Sequence, residues 1–149
     1  MSDRHDPDNL NAALLYAARG WPVFPVHSIA DERCTCRKAK CDKPGKHPRT
    51  KNGHLDATTD EAILRDWWKR WPNANVGVRT GTSSGIVAVD VDTRDGGDAT
   101  LAALETKHGG LPETVEASSG SGGRHLLFLY PAGEEIRNDT GTKLGIGID

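Results

Sequence analysis

Two groups of side chains in this 149-residue chain have the types and spacing that metal chemistry requires. In "CTCRKAKCDKPGKH", Cys34, Cys36, Cys41 and His47 follow one another as C-x-C-x4-C-x5-H. Four soft or borderline ligands packed this closely match a closed, tetrahedral structural zinc site. Three cysteines cannot all pair, and in a reducing compartment so tight a group points to metal ligation rather than to disulfides. His27 and His54 are alternative fourth ligands, each outside the cysteine group. The second group opens at "IVAVDVD", residues 86–92. Side chains two apart on a strand share a face, so Asp90 and Asp92 converge while Val89 and Val91 point the other way. Two adjacent carboxylates repel, a divalent cation relieves the repulsion, and hard oxygen ligands suit Mg²⁺ or Mn²⁺. Solvated strand ends carry such pairs as well, so the pair needs company.

That company lies downstream. "SSGSGGRHLLFLY" sets Ser121, Gly122 and Gly123 before a strand that begins with Arg124 and His125. Backbone N–H groups, a guanidinium and an imidazole are expected to converge there on phosphate oxygens, a glycine-rich hairpin turn with a surface histidine being the plainer alternative. Asp149, after "GIGI", is a third strand-end acid. Three acids gathered from separate strands are the equipment of two-metal phosphoryl transfer.

Elements must hold these residues in place. Asp6-Pro7-Asp8 and Gly20 bracket a helix over about 8–19, and "WPVFPV" reads as an edge strand because of its prolines. Residues 28–55 show no hydrophobic period, so an irregular stretch of that length needs a source of order, which the Cys/His group would supply. In "TTDEAILRDWWKRWP", Thr58 and Glu61 form a capping box and Ile63, Trp67 and Trp71 a stripe beside Leu64 and Trp68; Pro72 stops the helix. The tryptophans suit core packing, with base stacking as the alternative. "ANVGVRT" predicts a strand, "GTSSG" a turn that connects strands or meets a nucleotide, and the apolar run of "IVAVDVD" a central strand covered on both faces. A helix over about 98–108, a hairpin through "TVEAS" and "RHLLFLY", and a last strand at "LGIGID" complete an α+β chain. A chain ending on a strand carboxylate reads as a fragment.

Size and charge bound the rest. The length suits one domain with one modest core. Its N-terminus lacks the basic and apolar regions of a secretory signal and no window is long and apolar enough for a bilayer, so a cytoplasmic, non-membrane protein is expected. A net charge of −2 argues against wholesale nucleic-acid coating, yet residues 31–51 hold eight Lys or Arg against three Asp or Glu. A zinc-ordered loop would present Arg37, Lys38, Lys40, Lys46, Arg49 and Lys51 to an anionic partner such as nucleic acid, unless it is simply a solvated basic loop.

Taken in order, "ALLYAARGWPVFPV", the Cys/His loop ending in "PGKHPR", "DATTDEAILRDWWKRWPNANVGVRTG", "SGIVAVDVD", "LPETVEASSGSGGRHLLF" and the terminal "GID" resemble the N-terminal catalytic domain of bifunctional DNA primase-polymerases, within the archaeo-eukaryotic primase superfamily. The resemblance covers most of the chain. It implies an RRM-like sheet bearing the active site, joined to a smaller N-terminal α/β part. Asp90 and Asp92 would be the first catalytic motif, His125 the key residue of the second and Asp149 the acid of the third. One departure is Gly123, where the wider superfamily often has a serine two residues before the histidine; Ser121, Arg124 or backbone N–H groups would replace its phosphate contact. The implied activity is template-dependent nucleotidyl transfer from (d)NTPs, with catalytic Mg²⁺ or Mn²⁺, structural Zn²⁺, a DNA template and a downstream helicase or other replication module as partner. A metal-dependent nuclease would use the same acids with water as nucleophile, and a zinc-stabilised binding module would use none of them.

Overall fold

The computed structural model describes residues 8–149, so Asp6 and Pro7 of the expected first helix start lie outside the described residues. The described chain is α+β and separates into two compact units, one up to Arg79 and one from Thr80 onward. Among the described residues no helix is long and apolar enough to cross a membrane.

In the first unit, α1 (Asp8–Ala18) stops where Gly20, at φ 80°, turns its N–H back to the Ala17 carbonyl. Ala13 and Ala17 let α1 approach α2 (Glu61–Arg70), and with Val23, Leu64, Trp68 and Ala74 they make one core cluster. The cap of α2 differs from the expected one. Asp60, not Thr58, accepts from the amides of Ala62 and Ile63, because Thr58 is held extended by reciprocal backbone hydrogen bonds with Val23. The buried side of α2 is Leu64 and Trp68, whose indole N–H donates to the Ala74 carbonyl at 3.1 Å. Trp67 and Trp71 pack partly buried at its margin and Ile63 is exposed. Strand β1 (Val23–Val26) pairs antiparallel with β4 (Asn75–Val78), and β2 (Ile29–Ala30) with β3 (Arg33–Cys34).

The second unit is a three-stranded antiparallel sheet of β5 (Ile86–Val91), β6 (Val115–Ser118) and β7 (Arg124–Leu129), in the order β5-β7-β6. Between β5 and β6 lies α3 (Gly97–His108). Alternation sends Val89, Val91, Leu126 and Phe128 to one face, where they join Leu101 of α3 and Ile148. On the other face Val115 of β6 and Leu129 of β7 are exposed, whereas on β5 Ile86 is buried and Ala88 half-buried, so β5 keeps apolar cover at its start on this side too. The last strand expected at "LGIGID" does not form, because Gly145 and Gly147 take left-handed φ of 115° and 77°; the segment instead flanks the carboxyl end of β5 through the isolated bridge between Val91 and Ile148.

Candidate active site and metal centre

Strand register brings three of the candidate residues into one row. Asp90 is the direct partner of His125 on β7, with its Oδ1 3.4 Å from the imidazole Nε2. On its other side, Asp90 and Asp149 exchange both backbone hydrogen bonds, at 2.9 and 3.0 Å. Residues directly opposite in an antiparallel pair project to the same face, so His125, Asp90 and Asp149 stand side by side on the face away from α3. Asp92 continues the alternation in extended backbone and is tied by its amide to the Gly147 carbonyl at 2.8 Å. Its carboxylate accepts from the Arg94 amide at 3.0 Å, starting the 3₁₀ turn Thr93–Asp95. Asp90, Asp92 and Asp149 line one cavity of ≈ 420 Å³, together with Asp95, Thr140 and Gly147. Asp90 and His125 keep 48% and 46% of their side-chain surface, enough for a ligand to reach both.

Close backbone approach holds this edge. A Cβ at Gly97 would lie 2.4 Å from the Gly147 carbonyl oxygen and 2.8 Å from that of Asp92, where no real Cβ fits. Bare glycine thus lets the first turn of α3, the backbone of Asp92 and the 145–149 segment meet. Thr100 adds a hydrogen bond to the Ile146 carbonyl at 2.7 Å. The Asp139 carboxylate accepts from the Thr142 hydroxyl and the Leu144 and Lys143 amides, which pulls it down to about 2. The turn so formed presents Thr140 and Gly141 to the cavity, and the Gly141 amide donates to Ile148 at 3.1 Å.

Other candidates are placed differently from the expectation. Arg124 follows its neighbour Val91 to the α3 face, where its guanidinium meets Asp98 at 3.4 Å and Glu116 at 3.7 Å, so it does not converge with His125. The Gly122 and Gly123 amides are taken within the hairpin turn, by the Ser119 carbonyl and hydroxyl. Ser121 shares a hydrogen bond with Ser119. Asp95, Thr140 and Gly141 were not singled out from the sequence. Asp95 alone had a local signal, its place just after the D-x-D and before Gly96-Gly97.

The Cys/His group closes in the first unit. A two-residue turn with both central residues left-handed, Asp31 at φ 48° and Glu32 at φ 62°, joins β2 to β3 and delivers Cys34. The ligand atoms of Cys34, Cys36, Cys41 and His47 all lie within 4.8 Å of one another, the one such cluster among the described residues. His47 Nε2 is 3.4 Å from Cys34 Sγ and 3.5 Å from Cys41 Sγ. His27 instead bonds Thr35 through Nδ1 at 2.9 Å, and His54 lies in a separate 3₁₀ turn, so neither joins the four. Burial pushes the Cys34 thiol up, but hydrogen bonds from Cys36, Gly45 and His47 outweigh it and leave it at about 6. The Cys41 thiol is raised to about 11, chiefly by burial. A thiolate already favoured beside a histidine nitrogen, in a set of three sulfurs and one nitrogen, is compatible with structural zinc. Arg37, Lys38 and Arg49 border a cavity at this loop, whereas Lys40, Lys46 and Lys51 are exposed outside it.

No curated protein and no solved structure matches the chain significantly. The family model described as "bifunctional DNA primase/polymerase, N-terminal" does, over residues 13–149. With that match running through the Cys/His loop, the paired aspartates, His125 and Asp149, the chain belongs to the Prim-Pol family.

Proposed function

We propose that the chain carries the nucleotidyl-transfer site of a DNA primase-polymerase, on an RRM-like sheet. The observation that supports this most is the row His125–Asp90–Asp149, with Asp92 one step further along the same cavity. Asp90, Asp92 and Asp149 would hold the divalent ions, Mg²⁺ or Mn²⁺, which when bound neutralise triphosphate charge and make a 3′-hydroxyl more acidic. The three carboxylates suit hard cations, since they line one cavity that has no lysine or arginine among its lining residues. In the reaction a primer 3′-oxygen forms a bond to the α-phosphorus of a (d)NTP and the bond to the β-phosphate oxygen breaks, releasing pyrophosphate. His125, open to solvent beside Asp90, offers an N–H to the triphosphate oxygens and fixes their position. Asp92, bonded to the Gly147 and Arg94 backbone, is held in its place before any substrate arrives. In the first unit, Cys34, Cys36, Cys41 and His47 would hold zinc that orders the basic loop against a DNA template.

Incubation with a primed DNA template, labelled dNTPs and Mg²⁺ or Mn²⁺ tests the reading. Products longer than the primer are expected. Primer shortening would instead assign a nuclease, and template binding without turnover a non-catalytic module.

A further inference from the structure

The cavity at the Cys/His loop has a volume of ≈ 1360 Å³ and is lined by Arg33, Arg37, Lys38 and Arg49 against one carboxylate, Asp31. Among the described residues none of these four cations has an ion-pair partner, a state they share with Arg19, Arg79 and the lysines, but only these four are gathered in one cavity. A zinc ion with three thiolates and a neutral histidine carries about one negative charge, which a single guanidinium cancels. With Asp31 offsetting a second cation, about two positive charges remain uncompensated at this cavity.

Two of them are held at a cost. The Nε of Arg49 is buried with no hydrogen-bond partner, while its guanidinium lies 5.5 Å from the centroid of the Trp71 ring. Cation–π attraction holds the guanidinium beside that ring, and its Nε finds no acceptor within the chain. Arg37 sits at φ 59°, a left-handed conformation that glycine adopts freely, and its amide closes the turn onto the Cys34 carbonyl at 3.0 Å. Arginine thus occupies a backbone position where glycine would be easier, and its side chain lines the cavity.

We propose that Arg33, Arg37, Lys38 and Arg49 form a phosphate-binding pocket on the zinc-loop unit, seating consecutive phosphates of a nucleic-acid strand. The volume accommodates a length of backbone rather than a lone ion, and unpaired guanidinium forks match phosphate oxygens bidentately. The inference deepens the reading of this loop as a nucleic-acid contact and narrows the contact: Arg33 enters it, and Lys40, Lys46 and Lys51 leave it. It rests on that reading only for the identity of the phosphate's owner.

The test uses the whole zinc-loaded chain without added Mg²⁺ or Mn²⁺, so binding is read apart from turnover. The probes are a fluorescein-labelled oligothymidylate, followed by anisotropy across a salt series, and dATP, followed by calorimetry. Arg37→Gly should weaken oligonucleotide binding roughly tenfold at low salt and lower the slope of log K against log salt by about one. Its zinc content should be unchanged and its thermal midpoint equal or higher, because glycine relieves the left-handed strain. Lys38→Gln should act in the same direction whether or not polymerase activity is found, and Lys107→Gln, at the exposed end of α3, should bind like the unsubstituted chain. Weakening confined to dATP would assign the pocket to a free triphosphate. Unchanged affinity and salt slope in both loop variants, for both probes, would overturn the proposal.

Discussion

The loop that gathers four zinc-type ligands and the sheet edge that gathers three acids reach similar ends by opposite routes. The loop draws its ligands from Cys34 to His47, one short piece of chain, and brings their donor atoms within 4.8 Å of one another with almost no apolar support. The sheet edge draws Asp90 and His125 from two strands and Asp149 from a bridged segment, all far apart in sequence, and aligns them by backbone pairing over a core of Val91, Leu101, Leu126 and Ile148. Soft ligands in a local loop can close around an ion that then supplies the folding energy. Hard carboxylates repel, so a rigid scaffold must hold them together until a cation comes. The loop should therefore depend on its ion for structure and the sheet edge should not.

Metal removal breaks the comparison most forcefully. Stripping zinc with a strong chelator should cost the loop on the order of 10 kcal/mol of ion-dependent stability. Protease cleavage between residues 29 and 51 and loss of oligonucleotide binding would report it, while withholding Mg²⁺ should leave the melting curve unchanged. Equal protection of the loop with and without zinc would count against a structural metal. Next in size, His125→Gln should lower kcat for primer extension roughly a hundredfold with little change in stability, since it removes a donor that supports charge at the triphosphate. An effect on KM alone would move His125 from the reacting phosphates to simple binding. Gly97→Ala should come third, costing about 1–3 kcal/mol by forcing α3 away from Asp92 and Gly147, with a matching fall in activity. A fully stable Gly97→Ala would mean that this edge is looser than its contacts indicate.

The smallest effect concerns pH. The Asp139 carboxyl is held at about 2 in the folded chain against 3.8 ordinarily, so its contribution is complete above pH 4 and fades as pH falls toward 2. The stability difference between the unsubstituted chain and Asp139→Ala should shrink across that interval. A constant difference would assign the effect to packing rather than to the charge.

These regions also differ in how far they can be read before the chain is folded. The Cys/His cluster was legible because both the residues and the turn that joins them are local, and even the grouping of His47 rather than His27 or His54 with the cysteines followed the spacing. Alternation along β5 separated Asp90 and Asp92 from Val89 and Val91. Applied to β7, the same rule separates Arg124 from His125, which the expectation of a joint phosphate contact passed over. Long-range register was not legible: nothing local says that Asp149 pairs with Asp90, or that the amide of Asp92 answers Gly147. Thr58 looked like a helix cap until its backbone proved committed to Val23, a tertiary constraint that overrides a sound local signal. The apolar run "IVAV" is buried unevenly: Val89 packs against the cluster that includes Leu101 of α3, and Ile86 is buried on the opposite face.

The claim that the acid edge is a catalytic metal site is tested most directly by Asp90→Asn, isosteric and without the charge. Primer extension with Mg²⁺ or Mn²⁺ should fall at least a thousandfold, on the order expected when a metal-holding carboxylate is lost. Zinc content and oligonucleotide binding should stay as they were, and thermal stability should hold or rise as the repulsion with Asp92 and Asp149 is relieved. Full primer extension by a folded, zinc-loaded Asp90→Asn chain would contradict the account.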